Sequence, residues 1–194
     1  MSVRTVISPA AHADRTASVA ATLVVVAGSL VLAARPLLTA GDDARLALFL
    51  ASYLAIAAAA IAVPLPETST GPRTIVAVTA VGIAALLAAA LVTGPAVPLG
   101  VSSLTLGMSV VAAIAEEALF RRVAYARLER YGAAIAIGGS ALLFALVHLP
   151  GYGTTAFPLD LTAGVLFGWQ RWASGSWTAP AATHVVANIL ASLR

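Results

Sequence analysis

The stretch "TIVAVTAVGIAALLAAALVTGPAVPLGVSSLTLGMSVVAAIA", Thr74 to Ala115, contains 42 consecutive residues without a charge. A helix that crosses a bilayer needs about 20 apolar residues, so this stretch is long enough for two. Its middle part, "TGPAVPLG" at Thr93 to Gly100, contains two prolines and two glycines, which interrupt helices. The stretch therefore predicts two membrane-spanning helices joined by a tight turn.

The rest of the chain is similarly apolar. Of its 194 residues, 60% are hydrophobic and 10% are charged, whereas soluble domains have roughly 45 to 50% apolar and about 25% charged residues. We therefore expect an all-α, polytopic membrane helix bundle of about seven transmembrane helices, with six to eight as the range. The predicted spans are roughly 17 to 34, 46 to 63, 74 to 93, 100 to 120, 132 to 149, 158 to 171 and 179 to 192.

We expect one integral membrane domain in three parts. Residues 1–16 are predicted to form a short cytoplasmic tail, and residues 17–98 the N-terminal transmembrane helices. Residues 99–194 carry the motifs discussed below and are predicted to form the catalytic transmembrane helices. The lipid bilayer is therefore the first partner that the sequence predicts.

The positions of the arginines predict the orientation, because cytoplasmic loops of membrane proteins are enriched in basic residues. The chain has eleven arginines and no lysine. With a cytoplasmic N-terminus, Arg35, Arg45 and Arg194 lie at outer helix ends. The other eight lie at cytoplasmic ends: Arg4, Arg15, Arg73, Arg121, Arg122, Arg127, Arg130 and Arg171. We predict a multi-pass protein of the cell membrane with its N-terminus in the cytoplasm, and no binding of nucleic acid, since the basic residues are spread over membrane borders.

Ionisable side chains within membrane spans are the candidates for function. Each costs about 2.5 to 3.5 kcal/mol on insertion scales, so such residues are seldom kept without a role. The chain contains no cysteine, which excludes disulfides and thiolate chemistry. The remaining candidates are Glu116, Glu117, His148 and His184, with Asn188 one turn after the second histidine.

The spacing of the glutamates separates their roles. Glu117 and Arg121 are four residues apart, so on a helix they lie one turn apart and can pair. Glu116 is rotated by about 100° from its neighbour and has no local partner. We therefore predict that Glu117 and Arg121 support the structure, whereas Glu116 performs the chemistry.

Two further pairs repeat the spacing of four residues. Phe144 and His148 form "FALVH", and His184 and Asn188 form "HVVAN". If the three helices meet, a water between Glu116 and His148 can be deprotonated and attack a carbonyl. His184 and Asn188 can then donate hydrogen bonds to the developing oxyanion.

These segments resemble a known family. "EEALFR", "FALVH" and "HVVAN" are similar to the ordered motifs EExxxR, FxxxH and HxxxN of the CPBP family. This family contains the CAAX protease and bacteriocin-processing membrane proteins, among them the type II CAAX prenyl proteases. The segment "GVLFGWQRWASGSWTAPAATHVVANIL" also resembles the family's last motif region. The likeness covers about Leu99 to Leu193, half of the chain.

The resemblance implies hydrolysis of peptide bonds within the membrane. It assigns the activation of water to Glu116 and His148, and the stabilisation of the oxyanion to His184 and Asn188. It assigns structural support to Glu117 and Arg121, to which we add Phe144. The implied substrate is a membrane-associated protein or peptide, and whether that substrate is lipid-modified is left open.

The cofactor is a second open point. Some accounts of the family describe a metalloprotease, in which Glu116, His148 and His184 would bind zinc. Glutamate and histidine are suitable zinc ligands, but the chain lacks an HExxH motif. We favour a mechanism without a cofactor and keep zinc as the alternative.

Two functions from other classes compete with the protease. A non-catalytic membrane immunity or interaction protein could retain the motifs, and its phenotype would be insensitive to Glu116→Ala. A proton-coupled transporter could relay protons through Glu116 and His148, and it would depend on a pH gradient. The sequence has no evident inverted repeat, which argues against the transporter.

Overall fold

The computed structural model describes residues 9–39, 43–66, 68–93 and 103–192, and these residues are almost entirely helical, with no strand among them. The predicted all-α membrane helix bundle is confirmed. The helices are α1 (Pro9–Ala33), α2 (Pro36–Thr39), α3 (Asp43–Ala62), α4 (Pro72–Thr93), α5 (Ser103–Glu117), a π-helix (Ala118–Ala124), α6 (Tyr125–Glu129), α7 (Ala133–Ser174) and α8 (Thr178–Ser192). The predicted turn after Thr93 and part of the predicted N-terminal tail lie outside the described residues, while residues 9–16 already belong to α1.

Five helical segments of the described chain are long and apolar enough to cross a membrane. They are Thr16–Ala33, Ala44–Ala62, Pro72–Leu91, Ser103–Glu129 and Ala133–Ser174. The last has 42 residues, about twice what a single crossing needs. The final helix, α8, has only 15 residues.

The long helix α7 is a helical hairpin. At Gly153 the backbone leaves the helical region, with φ 74° and ψ −178°, a conformation that is essentially confined to glycine. Beyond this point the chain folds back, because a Cβ on Gly164 would lie 2.9 Å from Cα of Ala141, and one on Gly168 would lie 3.2 Å from Cα of Ile137. The two arms are thus antiparallel and correspond to the predicted spans 132 to 149 and 158 to 171.

The segment Ser103–Glu129 packs against α1, α3, α7 and α8. Its α-helical hydrogen bonding changes to a π-helical pattern directly after Glu117, and the π-helix contains Arg121. Nearly all residues from Ala115 to Tyr125 are buried. Such π-helical turns occur frequently at functional sites, so the local irregularity marks the place where the two glutamates lie.

The outer helices present apolar side chains to their surroundings. Leu23 on α1, Leu54 on α3 and Leu91 on α4 are exposed, as are many other large aliphatic residues of these helices. The described core, by contrast, contains many alanines, which permit close helix packing in a membrane. This distribution is that of a bundle whose outer surface contacts lipid.

Candidate active site

Glu116, the first residue of the doublet, lies near the end of α5 and is only 3% exposed. One carboxylate oxygen, Oε1, accepts hydrogen bonds at 3.4 Å from Nη1 of Arg35 and from the hydroxyl of Tyr53. The other oxygen, Oε2, lies 3.7 Å from Nε2 of His148 and 3.9 Å from Nε2 of His184. The structure therefore brings three of the four predicted catalytic residues to one point.

The first histidine, His148, has a defined ring orientation. It lies on the first arm of α7, and its Nδ1 is 2.7 Å from the carbonyl oxygen of Phe144. A carbonyl oxygen only accepts hydrogen bonds, so Nδ1 carries the proton. In the neutral ring, Nε2 then has a lone pair, and this is the atom on the side of Glu116.

The second glutamate joins two partners. Oε1 of Glu117 accepts hydrogen bonds from Nη1 of Arg121 at 3.1 Å and from Nδ1 of His184 at 2.9 Å. Nη2 of Arg121 also donates to the carbonyl oxygen of Gly164 at 3.0 Å, on the second arm of α7. Glu117 and Arg121 are completely buried. The pair that the spacing predicted therefore forms, and it also orients the histidine of α8.

Aromatic rings surround this polar group. The guanidinium of Arg121 lies 4.6 Å from the ring centroid of Phe144 and 5.3 Å from that of Phe167. The ring of Phe144 contacts that of His148 at 4.4 Å, and Phe167 stacks on His184 at 5.0 Å. Phe144 thus separates the buried ion pair from the ring of His148, and both histidines are held by aromatic contacts as well as by hydrogen bonds.

Asn188 lies one turn beyond His184 on α8. Its Nδ2 donates to the carbonyl oxygen of Ser109 at 3.1 Å, which ties α8 to α5. It nevertheless shares a cavity of about 600 Å³ with the other three predicted catalytic residues. The cavity is lined by Arg35, Arg45, Leu46, Phe49, Tyr53, Thr105, Met108, Ser109, Ala112, Glu116, His148, Tyr152, His184, Asn188, Ala191 and Ser192.

Three contacts of the site were not predicted from the sequence. Arg35, which we assigned to an outer helix end, is buried and bound to Glu116. Tyr53 reaches the same carboxylate from α3, and Tyr152 stacks on His148 at 5.8 Å between ring centroids. A tyrosine within an apolar span is a usable signal, because its hydroxyl requires a partner when buried, but the sequence does not identify that partner.

The donor set of the site is chemically suitable for zinc, since one carboxylate and two imidazole nitrogens face each other. Among the described residues, however, no group of three or more histidine, aspartate or glutamate side chains is placed so that it could hold a metal ion. Arg35 adds a positive charge next to the carboxylate. This charge opposes the binding of a second cation at the carboxylate.

Comparison with protein families gives a match to the C-terminal part of the chain. The family model described as "Type II CAAX prenyl endopeptidase Rce1-like" matches residues 98–190, which include the three motifs and all four predicted catalytic residues. The match leaves out Arg35 and Tyr53. No curated protein and no solved structure matches the chain. Through its C-terminal half, this chain belongs to the CAAX protease family of membrane-embedded endopeptidases.

Proposed function

We propose that the protein is an intramembrane endopeptidase in which Glu116 and His148 activate the attacking water. The observation that carries the proposal is the position of Oε2 of Glu116, which lies within 4 Å of Nε2 of both histidines on the wall of one cavity. Separations of 3.7 and 3.9 Å are too long for direct hydrogen bonds, so these atoms can bind a water that lies beside them in the cavity.

The first chemical step transfers a proton from this water. Water donates one hydrogen to Oε2 of Glu116 and the other to the lone pair of Nε2 of His148. The carboxylate removes its proton as the oxygen attacks the carbonyl carbon of the peptide bond. The proton then passes to the amide nitrogen, the carbon–nitrogen bond breaks, and the products are a new carboxyl terminus and a free amine.

His184 and Asn188 are proposed to stabilise the oxyanion. Nδ1 of His184 already donates to Glu117, so its Nε2 can donate to the oxyanion only when the ring carries a second proton. Asn188 has two amide hydrogens, and within the described residues one of them binds the carbonyl of Ser109. The other is available to a substrate in the cavity.

The proposed substrate is a membrane-associated protein or peptide. The cavity combines apolar walls, such as Leu46, Phe49 and Met108, with the polar residues of the site, so it can hold a peptide next to an apolar group. A lipid-modified peptide is the substrate class that the family description suggests. We also propose that the protein resides in the cell membrane with its N-terminus in the cytoplasm.

The test is cleavage by purified protein in liposomes. The substrates are a farnesylated peptide that ends in a CAAX sequence, its unmodified counterpart and a library of membrane peptides. We expect wild type to cleave at least one of them and Glu116→Gln to reduce kcat by at least about 100-fold. Glu129→Gln is the matched control, because Glu129 is exposed on α6, away from the cavity.

Two outcomes would contradict the proposal. If Glu116→Gln cleaves as fast as wild type, Glu116 is not the base. If wild type cleaves none of these substrates, the alternative of a non-catalytic immunity or interaction protein is favoured, and Glu116→Ala should then leave the phenotype unchanged.

A further inference from the structure

We propose that Arg35 is a positioning residue for Glu116, supplied by a part of the chain that lies outside the family match. The inference rests on the proposed function, because it gives the arginine a role in catalysis. Arg35 follows α1, whereas the match begins at residue 98. The N-terminal helices would then complete the active site and not merely surround it.

The contacts of the carboxylate are divided between its two oxygens. Arg35 and Tyr53 both bind Oε1, each at 3.4 Å, while Oε2 remains on the side of His148 and His184. Rotation of the carboxylate about its terminal bond would break both contacts to Oε1. The two N-terminal residues therefore fix the plane of the carboxylate, so that its other oxygen is directed at the histidines.

A second set of contacts links Arg35 to His148. The guanidinium carbon lies 4.6 Å from the ring centroid of Tyr152, and this ring is stacked on that of His148, at 5.8 Å and an interplanar angle of 21°. Arg35 thus contacts Glu116 directly and reaches His148 through one intervening ring. Both groups that are proposed to hold the water depend on its position.

The positive charge of Arg35 stabilises the buried carboxylate of Glu116. It is 9% exposed, and its Nη2 has no hydrogen-bond partner among the described residues. By contrast, Arg122 uses its guanidinium to bind the carbonyl oxygens of Ala60 and Val63 at the end of α3, as a structural arginine commonly does. Within the described part of the chain, the ion pair of Arg35 is with the proposed base. Its positive charge compensates the cost of a buried carboxylate.

Steady-state kinetics in liposomes, with the farnesylated CAAX peptide or whichever library peptide wild type cleaves, test this role. We expect Arg35→Gln to lower kcat by at least about tenfold and to change KM by less than about twofold, since a displaced base slows the chemical step. Tyr53→Phe, which removes only the hydroxyl, should lower kcat in the same way but less. Arg130→Gln is the matched control, because Arg130 is exposed and lies outside the cavity.

Chemical rescue distinguishes positioning from a general structural role. Arg35→Ala should regain part of its lost kcat when millimolar guanidinium is added, and Glu116→Gln should not. Wild-type kcat in Arg35→Gln, a loss confined to KM, or a loss in Arg35→Ala that guanidinium does not reduce would each overturn the proposal.

A stability measurement separates this inference from the proposed function. Thermal unfolding of Arg35→Gln, Glu116→Gln and the double variant forms a cycle that needs no substrate. Non-additive shifts in Tm support the contact, and additive shifts overturn it. If wild type cleaves no peptide while the shifts are non-additive, the proposed function fails and the positioning role in catalysis fails with it, although the ion pair stands.

Discussion

Nδ1 of His184 donates a hydrogen bond at 2.9 Å to Oε1 of Glu117, although 67 residues separate the two in the chain. The same oxygen accepts from Arg121 at 3.1 Å. Glu117 is therefore more than the partner of the arginine one turn away. It connects α5 with α8 and fixes the tautomer of a histidine that faces the proposed base. The same carboxylate therefore supports the structure and orients a residue of the site.

Removal of this carboxylate should destabilise the protein strongly. In Glu117→Ala the guanidinium of Arg121, which is completely buried, would lose its counter-charge. Breaking a buried ion pair from one side typically costs about 3 to 5 kcal/mol. We expect a loss of that size in the free energy of unfolding, measured in detergent by tryptophan fluorescence. Glu129→Ala, at an exposed position, should change it by less than about 0.5 kcal/mol.

Glu117→Gln tests the contribution of the charge separately from that of the hydrogen bonds. The amide keeps an oxygen that can accept from Arg121 and His184 but carries no charge. Its stability should lie between those of wild type and Glu117→Ala. Equal stability of all three proteins would show that the buried pair contributes nothing, against our interpretation.

A metal chelator should leave cleavage unchanged. Arg35 lies 3.4 Å from the carboxylate that zinc would use, and its positive charge opposes a second cation there. We expect 1,10-phenanthroline, followed by dialysis, to change kcat by less than about twofold, a difference of about 0.4 kcal/mol in the barrier. Loss of cleavage that added Zn²⁺ restores would instead support zinc bound by Glu116, His148 and His184.

The orientation of the protein in the membrane can be tested with single-cysteine variants, because the chain contains no cysteine of its own. Arg35, Arg121 and Arg171 are buried and no longer count as border arginines, which leaves two at outer ends and six at cytoplasmic ends. With a cytoplasmic N-terminus, Ser103→Cys should react with a membrane-impermeant maleimide in intact cells and Glu129→Cys only after lysis. The opposite labelling pattern would reverse the predicted topology.

The sequence predicted much of the fold because its signals are local. Uncharged windows of about 20 residues located most of the spans, including the first arm of the hairpin around Gly153, whereas the second arm was predicted as a shorter span that contains Asp160. Spacings of four residues identified the pairs Glu117 with Arg121 and Phe144 with His148, which the structure brings into contact. Helix periodicity determines such contacts without knowledge of the tertiary arrangement.

The remaining contacts depend on how the helices pack, and no local pattern specifies that. Arg35 and Tyr53 reach Glu116 across 81 and 63 residues, and an arginine at the end of a span resembles any border arginine. The hydrogen bond between Asn188 and Ser109 is likewise set by the approach of α8 to α5. Nor does composition reveal the π-helix after Glu117, since its residues are ordinary for an α-helix.

The bend of α7 leads to a last prediction, at Gly153. Its φ of 74° and ψ of −178° are open to glycine alone, whereas a Cβ at this position would meet no atom within 4 Å. The cost of Gly153→Ala is therefore backbone strain and not a steric clash, about 1 to 3 kcal/mol.

Gly138→Ala, on the first arm of the same helix, is the matched control, because it also has open space but has a helical backbone. It should stabilise the protein by about 0.5 to 1 kcal/mol, because alanine favours a helix over glycine. Thermal unfolding of the two variants should thus shift Tm in opposite directions, and equal shifts would mean that Gly153 can be replaced and does not define the hairpin that carries His148.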